Sequence, residues 1–200
     1  MTHESGDARP AGSRPGLITT RQVLDAAGVA RAVEAIAAEL RRRRGDDAAE
    51  LALVGIHSGG VPLAKRLAQA LAATGWPAPP VGMIDITLYR DDVFLGLPQP
   101  IVGETELGFD VNGRRLVLVD DVLFTGRTVR SALDALIDFG RPRSIELAVL
   151  VDRGHRELPI EPTYVGCRAE TRLDENVHVA LTELGAASDA VVVESRRGTA

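Results

Sequence analysis

The chain has almost no cysteine and almost no lysine. One cysteine in 200 residues, Cys167, leaves no intrachain disulfide to form, and a reducing cytoplasm is the expected compartment. Lys65 is the single lysine among 23 basic residues, so arginine carries nearly all the positive charge. Against 28 acidic residues this leaves a formal net charge of −5. Any nucleic-acid surface would therefore be a local patch on an acidic protein. No uncharged apolar run approaches the ~18 residues of a membrane span, which argues against a membrane partner. The opening MTHESGDARP has no apolar core of a secretory leader. Neither the G-x-x-x-x-G-K-[ST] phosphate loop nor the G-x-G-x-x-G dinucleotide fingerprint occurs.

What is present suits a globular enzyme: 45% apolar and 26% charged residues. A chain of this length removes roughly 70% of its extended surface from water on folding. Residues 1–16, rich in Gly, Pro, Ser and charge, read as a tail, and 17–198 as one domain. Asp25 is a good N-cap for a helix with Val29, Val33, Ile36, Ala37 and Leu40 on one face. Arg41–Arg44 and Gly45 close that helix, with cations at the negative end of its dipole. The apolar runs at 51–56, 81–89, 115–119 and 144–151 read as strands, with helices over 61–74 and from Thr128 onward. Shorter strand-like runs follow at 163–165, 177–181 and 191–193. The alternation predicts an α/β fold with a mainly parallel sheet. Between strands, 90–113 is long and polar, with a turn signal at Asn112-Gly113.

The informative segment is LVLVDDVLFTGRT, from Leu116 to Thr128. A buried strand delivers Asp120 and Asp121 at its carboxyl end, where open α/β sheets bind ligands. Thr125, Gly126, Arg127 and Thr128 then open a helix, offering hydroxyls, free N–H groups and the positive end of a dipole. That is a cup for a phosphate monoester. Two carboxylates nearby repel phosphate but accept hydrogen bonds from sugar hydroxyls, and one can touch Mg²⁺. Together they fit a ribose 5-phosphate. A bare acid pair at a strand end is as often a helix cap or solvated loop; here strand, DD, TG and T fall in one order within one βα turn.

The segment resembles the phosphoribosyl pyrophosphate (PRPP) motif of the type I phosphoribosyltransferases. With DITLYRDD (Asp85–Asp92), GRTVRSALDALIDFGRP (Gly126–Pro142) and AVLVDRGHRELPI (Ala148–Ile160), the chain resembles the PyrR family over roughly 17–195. The resemblance implies the type I fold, a twisted mainly parallel sheet flanked by helices with a small hood over about 151–182. It implies uracil phosphoribosyl transfer (uracil + PRPP to UMP + pyrophosphate) with Mg²⁺ carried mainly by the substrate. It also implies UMP-responsive binding of pyrimidine operon mRNA, and a homodimer or larger assembly.

Residue by residue, the motif implies that Asp120 and Asp121 hold the ribose hydroxyls. Leu116, Val117, Leu118, Val119, Val122, Leu123 and Phe124 belong to the nucleotide-binding segment, and Thr125, Gly126, Arg127 and Thr128 wrap the 5-phosphate. His57, Ser58, Gly59 and Gly60 correspond to the pyrophosphate loop. Many members carry Lys-Thr-Arg-Gly there; with glycine at 59, Gly59→Arg is expected to raise activity if this loop is the weak link, and to leave the kinetics unchanged if the loop already suffices. His57 by itself also reads as a plain loop histidine. Arg90 opens a lid over about 90–113, and Arg141 and Val165 match the base pocket. Arg153, His155 and Arg156 are open between hood, dimer, RNA and surface roles. In RNA-binding members the first helix presents Thr, Arg and His where this chain has Glu34, Ala35 and Ala38. The Arg41–Arg44 run is either a substitute for them or a solvated helix end. Three further readings stay open: a phosphoribosyltransferase for another base such as hypoxanthine or orotate, a nucleotide-sensing regulator with weak or no catalysis, and a phosphoribosyltransferase without an RNA function.

Overall fold

The computed structural model describes residues 18–45, 48–86 and 105–196. Arg90 and 91–104 of the expected lid lie outside them.

The central sheet is parallel and five-stranded, built from β2 (Leu51–Ile56), β3 (Val81–Ile84), β4 (Arg115–Leu123), β5 (Ser144–Asp152) and β6 (Tyr164–Arg168). Its spatial order is β3-β2-β4-β5-β6. Strands β2, β4 and β5 are apolar on both faces because both faces are covered. On one side, α1 (Ala26–Arg44) and α2 (Gly60–Ala73) pack Val33, Ile36, Leu63 and Leu67 against Val117, Val119 and Leu150. On the other, α3 (Arg127–Asp138) packs Val129, Ala132 and Leu136 against Leu116, Leu118 and Val149. Leu116 to Val119 thus alternate between two cores, as the period of a strand requires. They support the site from below rather than line it.

α1 starts where the sequence places it: the Asp25 carboxylate accepts from the Gly28 N–H at 2.7 Å. Its arginine-rich end is neither free nor uniformly solvated. Arg44 is buried and pairs with Glu146 at 2.6 Å, and Glu146 accepts the hydroxyl of the buried Tyr164 at 2.7 Å. Burial, then the bond to Glu146, pushes the Tyr164 hydroxyl up to about 12. Arg42 and Arg43 both close on Glu39, and Arg41 donates to Thr74 O.

A second, three-stranded antiparallel sheet has the order β1-β8-β7, from β1 (Ile18–Leu24), β7 (Glu175–Ala180) and β8 (Ala190–Arg196). The sequence reading missed β1 because its partner is at the far end of the chain, Thr20 opposite Glu194. This sheet is moored to α2 by Arg66, which donates to Glu183 at 2.7 Å and to Asp189.

Several strand boundaries move. β3 ends at Ile84, with Asp85 and Ile86 outside it, and 87–89 of the expected strand lie outside the described residues. β4 does not stop at Val119 but continues through both acids to Leu123, because β5 pairs with it as far as Leu123 opposite Asp152. Within the expected lid, 105–113 packs on the outer edge of β3: Met83 and Glu106 exchange backbone bonds, and Leu107 and Val111 are buried.

Candidate active site

The strand order reverses direction between β2 and β4. From β2 the chain crosses through α2 outward to β3; from β4 it crosses through α3 the other way to β5. The two loops leaving the carboxyl ends of β2 and β4 therefore diverge and open a crevice, the usual ligand position in such sheets. A cleft of about 340 Å³ lies there, lined by His57, Ser58, Gly59, Asp85, Ile86, Asp120, Asp121, Val122 and Thr128. Residues from 57–60 and from the Leu116–Thr128 segment are brought together. Asp85 and Ile86 join them from the end of β3; Asp85 opens DITLYRDD, and nothing in its local sequence marks it as a site residue.

The floor is made of backbone approaching backbone. A Cβ on Gly60 would sit 2.1 Å from Val119 O, and one on Gly59 would sit 2.3 Å from the Asp121 carboxylate. Only glycines let the β2 loop lie this close to the end of β4. The peptide between His57 and Ser58 is cis.

Asp120 and Asp121 are strand residues, not loop residues. Asp120 is 5% exposed and accepts from the Asp121 N–H at 2.9 Å. Burial, reinforced by the neighbouring Asp121 carboxylate, raises the Asp120 pKa well above the ordinary carboxylate value. Asp121 is half-buried, accepts from the Val122 N–H at 2.8 Å and turns its other oxygen toward Gly59. Beyond β4, Phe124 leads to Thr125; Gly126 takes a left-handed φ of 92°, which turns the chain into α3. Leu123 is core. Among the described residues no group of three or more His, Cys, Asp or Glu is placed to hold a metal by itself.

Two expected base-pocket residues fall elsewhere. Arg141 precedes β5, at the amino ends of the strands: its N–H donates to Asn112 and its carbonyl accepts from Gly113. The length of β5 separates it from the cleft, so it is a correction to the reading from resemblance. Val165 pairs with Val149 inside the sheet and packs with the α3-side core, short of the strand end.

Arg153 is buried, whereas His155 and Arg156 are partly exposed. The Arg153 guanidinium lies 4.0 Å from the centre of the Phe124 ring and donates to Arg172 O. His155 Nε2 lies 2.7 Å from Thr171 O. Arg156 carries four internal bonds, considered below.

The family model for the phosphoribosyl transferase domain matches residues 19–184, and the chain belongs to that family. The fold agrees: a hypoxanthine phosphoribosyltransferase from Staphylococcus aureus superposes with a TM-score of 0.63 at 21% identity, covering 88% of this chain and 92% of that one. Within the family the chain belongs to the PyrR group. A bifunctional protein PyrR from Chloroflexus aurantiacus is 51% identical over 180 residues, 90% of this chain and 97% of that protein. Those from Roseiflexus sp. and Deinococcus deserti are 50% and 56% identical, over 86% and 80% of this chain and 94% and 87% of theirs.

The Gly59–Asp121 approach reverses the expectation for Gly59→Arg. A side chain there requires the Asp121 carboxylate to shift from its present position, so Gly59→Arg should lower kcat/KM for PRPP by about ten-fold, with little change in melting temperature. Steady-state kinetics beside a thermal melt checks this.

The raised Asp120 pKa gives a second expectation. The folded state keeps a proton that the unfolded state releases, so this contribution to stability is full below the ordinary carboxylate pKa and is lost as pH rises through the raised value. Asp120→Asn, neutral throughout, should melt about 2–4 °C above wild type near pH 8. The gap should close near pH 4. Calorimetry at the two pH values tests it.

Proposed function

We propose that the cleft transfers the phosphoribosyl group of PRPP to uracil, releasing pyrophosphate and forming UMP, and that UMP in turn adjusts binding of the chain to pyrimidine operon mRNA. One observation supports the chemistry above others. The 57–60 loop, the Asp120–Asp121 pair and the start of α3 converge on one crevice at the sheet's reversal point.

In this reading the N–H groups and hydroxyl of Thr125–Thr128, at the positive end of α3, take the 5-phosphate. Asp120 and Asp121 take the ribose hydroxyls. As the bond from C1 of the ribose to pyrophosphate breaks, positive charge builds on the sugar, and the Asp121 carboxylate at the mouth stabilises it electrostatically. The bond from the uracil nitrogen to C1 completes the displacement, so no nucleophile from the chain is needed. Gly59 and Gly60 let the backbone N–H groups of the loop reach the departing pyrophosphate. The carboxylates of Asp121 and Asp85 are hard oxygen donors that suit Mg²⁺. Mg²⁺ bound to the diphosphate would neutralise the leaving group.

Asp121→Asn keeps the acceptor for the Val122 N–H, so the fold should hold. Turnover should fall by about 10³-fold, as when a group aimed at developing charge is removed. The assay is PRPP-dependent UMP formation, run in parallel with purines and orotate; turnover of a purine and none of uracil overturns the base assignment.

For the RNA role, support comes from the relatives' name, bifunctional protein PyrR. The exposed face of α1 carries Arg31, Glu34, Ala35 and Ala38, and the Arg41–Arg44 run is engaged in bonds within the protein. With few phosphate contacts available there, the expected result is a weak, UMP-dependent gel shift of pyrimidine leader RNA. Its affinity should fall about ten-fold or more between 50 and 200 mM salt. No shift at low salt would leave an enzyme without RNA function. A shift with no UMP formation would favour the nucleotide-sensing regulator, the reading to which the absent loop arginine points.

A further inference from the structure

The strand ends β4 and β5 lie side by side, Leu123 opposite Asp152, and each runs on into a loop. The β4 loop is the expected phosphate cup. The β5 loop, 153–160, lies against its outer side and is bonded to its backbone. Thr125 O accepts two N–H groups, from Glu157 at 3.0 Å and Leu158 at 3.1 Å. Phe124 O accepts from Arg156 Nη1 at 3.0 Å.

Arg156 organises this contact. Its Nε donates to Ile160 O at 3.0 Å, its Nη1 also to Gly154 O at 3.1 Å, and its Nη2 to Asp152 Oδ1 at 2.6 Å. Asp152 is 4% exposed and takes further donors from the Gly154 N–H and from Arg168, both at 3.0 Å. A buried carboxylate with this many donors is a fixed anchor. The guanidinium therefore spans from a rigid strand end to the first carbonyl of the cup, with its planar fork used on both sides.

Holding those carbonyls has a geometric consequence. A trans peptide unit is planar, with its C=O and N–H pointing in opposite directions. Fixing Phe124 O and Thr125 O toward the β5 loop turns the N–H groups of Thr125 and Gly126 away from it. Those are the amides that the phosphate reading needs free.

We infer that Arg156 is a positioning residue: it sets the peptide planes of the Phe124–Gly126 segment so that their amides are presented to the sugar 5-phosphate. This rests on the phosphate reading of Thr125–Thr128. Arg156 does not line the cleft. The outer ion pair of Arg127 with Glu157 at 2.7 Å joins the same two loops, but both groups are half exposed, and it contributes little.

The test uses the full chain as wild type, Arg156→Lys and Arg156→Met. Two measurements are made: steady-state kinetics with PRPP and uracil, and calorimetric titration with ribose 5-phosphate, which engages the cup and the diol site without base or pyrophosphate. In Arg156→Lys, one ammonium can pair with Asp152 but cannot also hold Phe124 O and Ile160 O. The Kd for ribose 5-phosphate and the KM for PRPP should both rise about ten-fold, the step expected for one lost charge-assisted contact. The KM for uracil and the melting temperature should stay near wild type, and Arg156→Met should be at least as impaired in sugar-phosphate binding. A folded Arg156→Lys that binds ribose 5-phosphate as wild type does overturns the inference. So does a parallel loss of every parameter in step with the folded fraction, which would mark a purely structural residue. Wild type that binds ribose 5-phosphate but does not turn over uracil overturns only the choice of base. Wild type that does not bind the sugar phosphate overturns the cup and the inference together.

Discussion

The closeness of two backbones governs this site. The loop leaving β2 lies so near the end of β4 that a methyl group on Gly60 would overlap a carbonyl, and one on Gly59 would overlap the Asp121 carboxylate. Parallel strands that are neighbours in space but send their crossovers in opposite directions open a gap at their carboxyl ends. Here the gap is narrowed by glycine on one wall and floored by acids on the other. Asp120 stays buried and proton-loving because of that narrowness, and Asp121 is left at the mouth. The comparison with Lys-Thr-Arg-Gly loops looks different in this light: an arginine at 59 is compatible only with another arrangement of the acid facing it.

A second layer keeps the first in place. The β5 loop meets the β4 loop through backbone bonds at Thr125 and through Arg156, and Asp152 anchors that arginine at the end of the neighbouring strand. The segment VDRGHRELPI thus packs behind the β4 loop and does not line the cleft. Arg153 illustrates the same economy of surface: its cation is turned inward over Phe124 rather than offered to solvent, and its burial lowers its pKa from the ordinary arginine value.

Much of the architecture was legible in the residues. Apolar runs bounded by turn signals located β2, β4 and β5, and Asp25 with the stripe through Leu40 located α1. The cleft-lining part of Leu116–Thr128 was legible because strand, acids, glycine and hydroxyls follow one another within one turn, which is local information. What escaped was non-local. β1 exists only as the partner of β8, so nothing within 18–24 announces it. The fate of Arg41–Arg44 depends on Glu39, Thr74 and Glu146, one helical turn, one helix and one strand away. Arg141, which the resemblance matches to the base pocket, lies at the amino end of β5; periodicity says nothing of which strand end a loop occupies.

The pairing of Thr20 with Glu194 also bears on how the molecule is made. Contacts between chain ends form late, since the entropy of closing the intervening loop must be met before they contribute. On a ribosome, the parallel layer can assemble from β2 to β6 while β1 still has no neighbour. That leading strand becomes part of the structure only when the last one is released. Until then, the backbone edge of β1 itself is unpaired and open to other molecules in the cell.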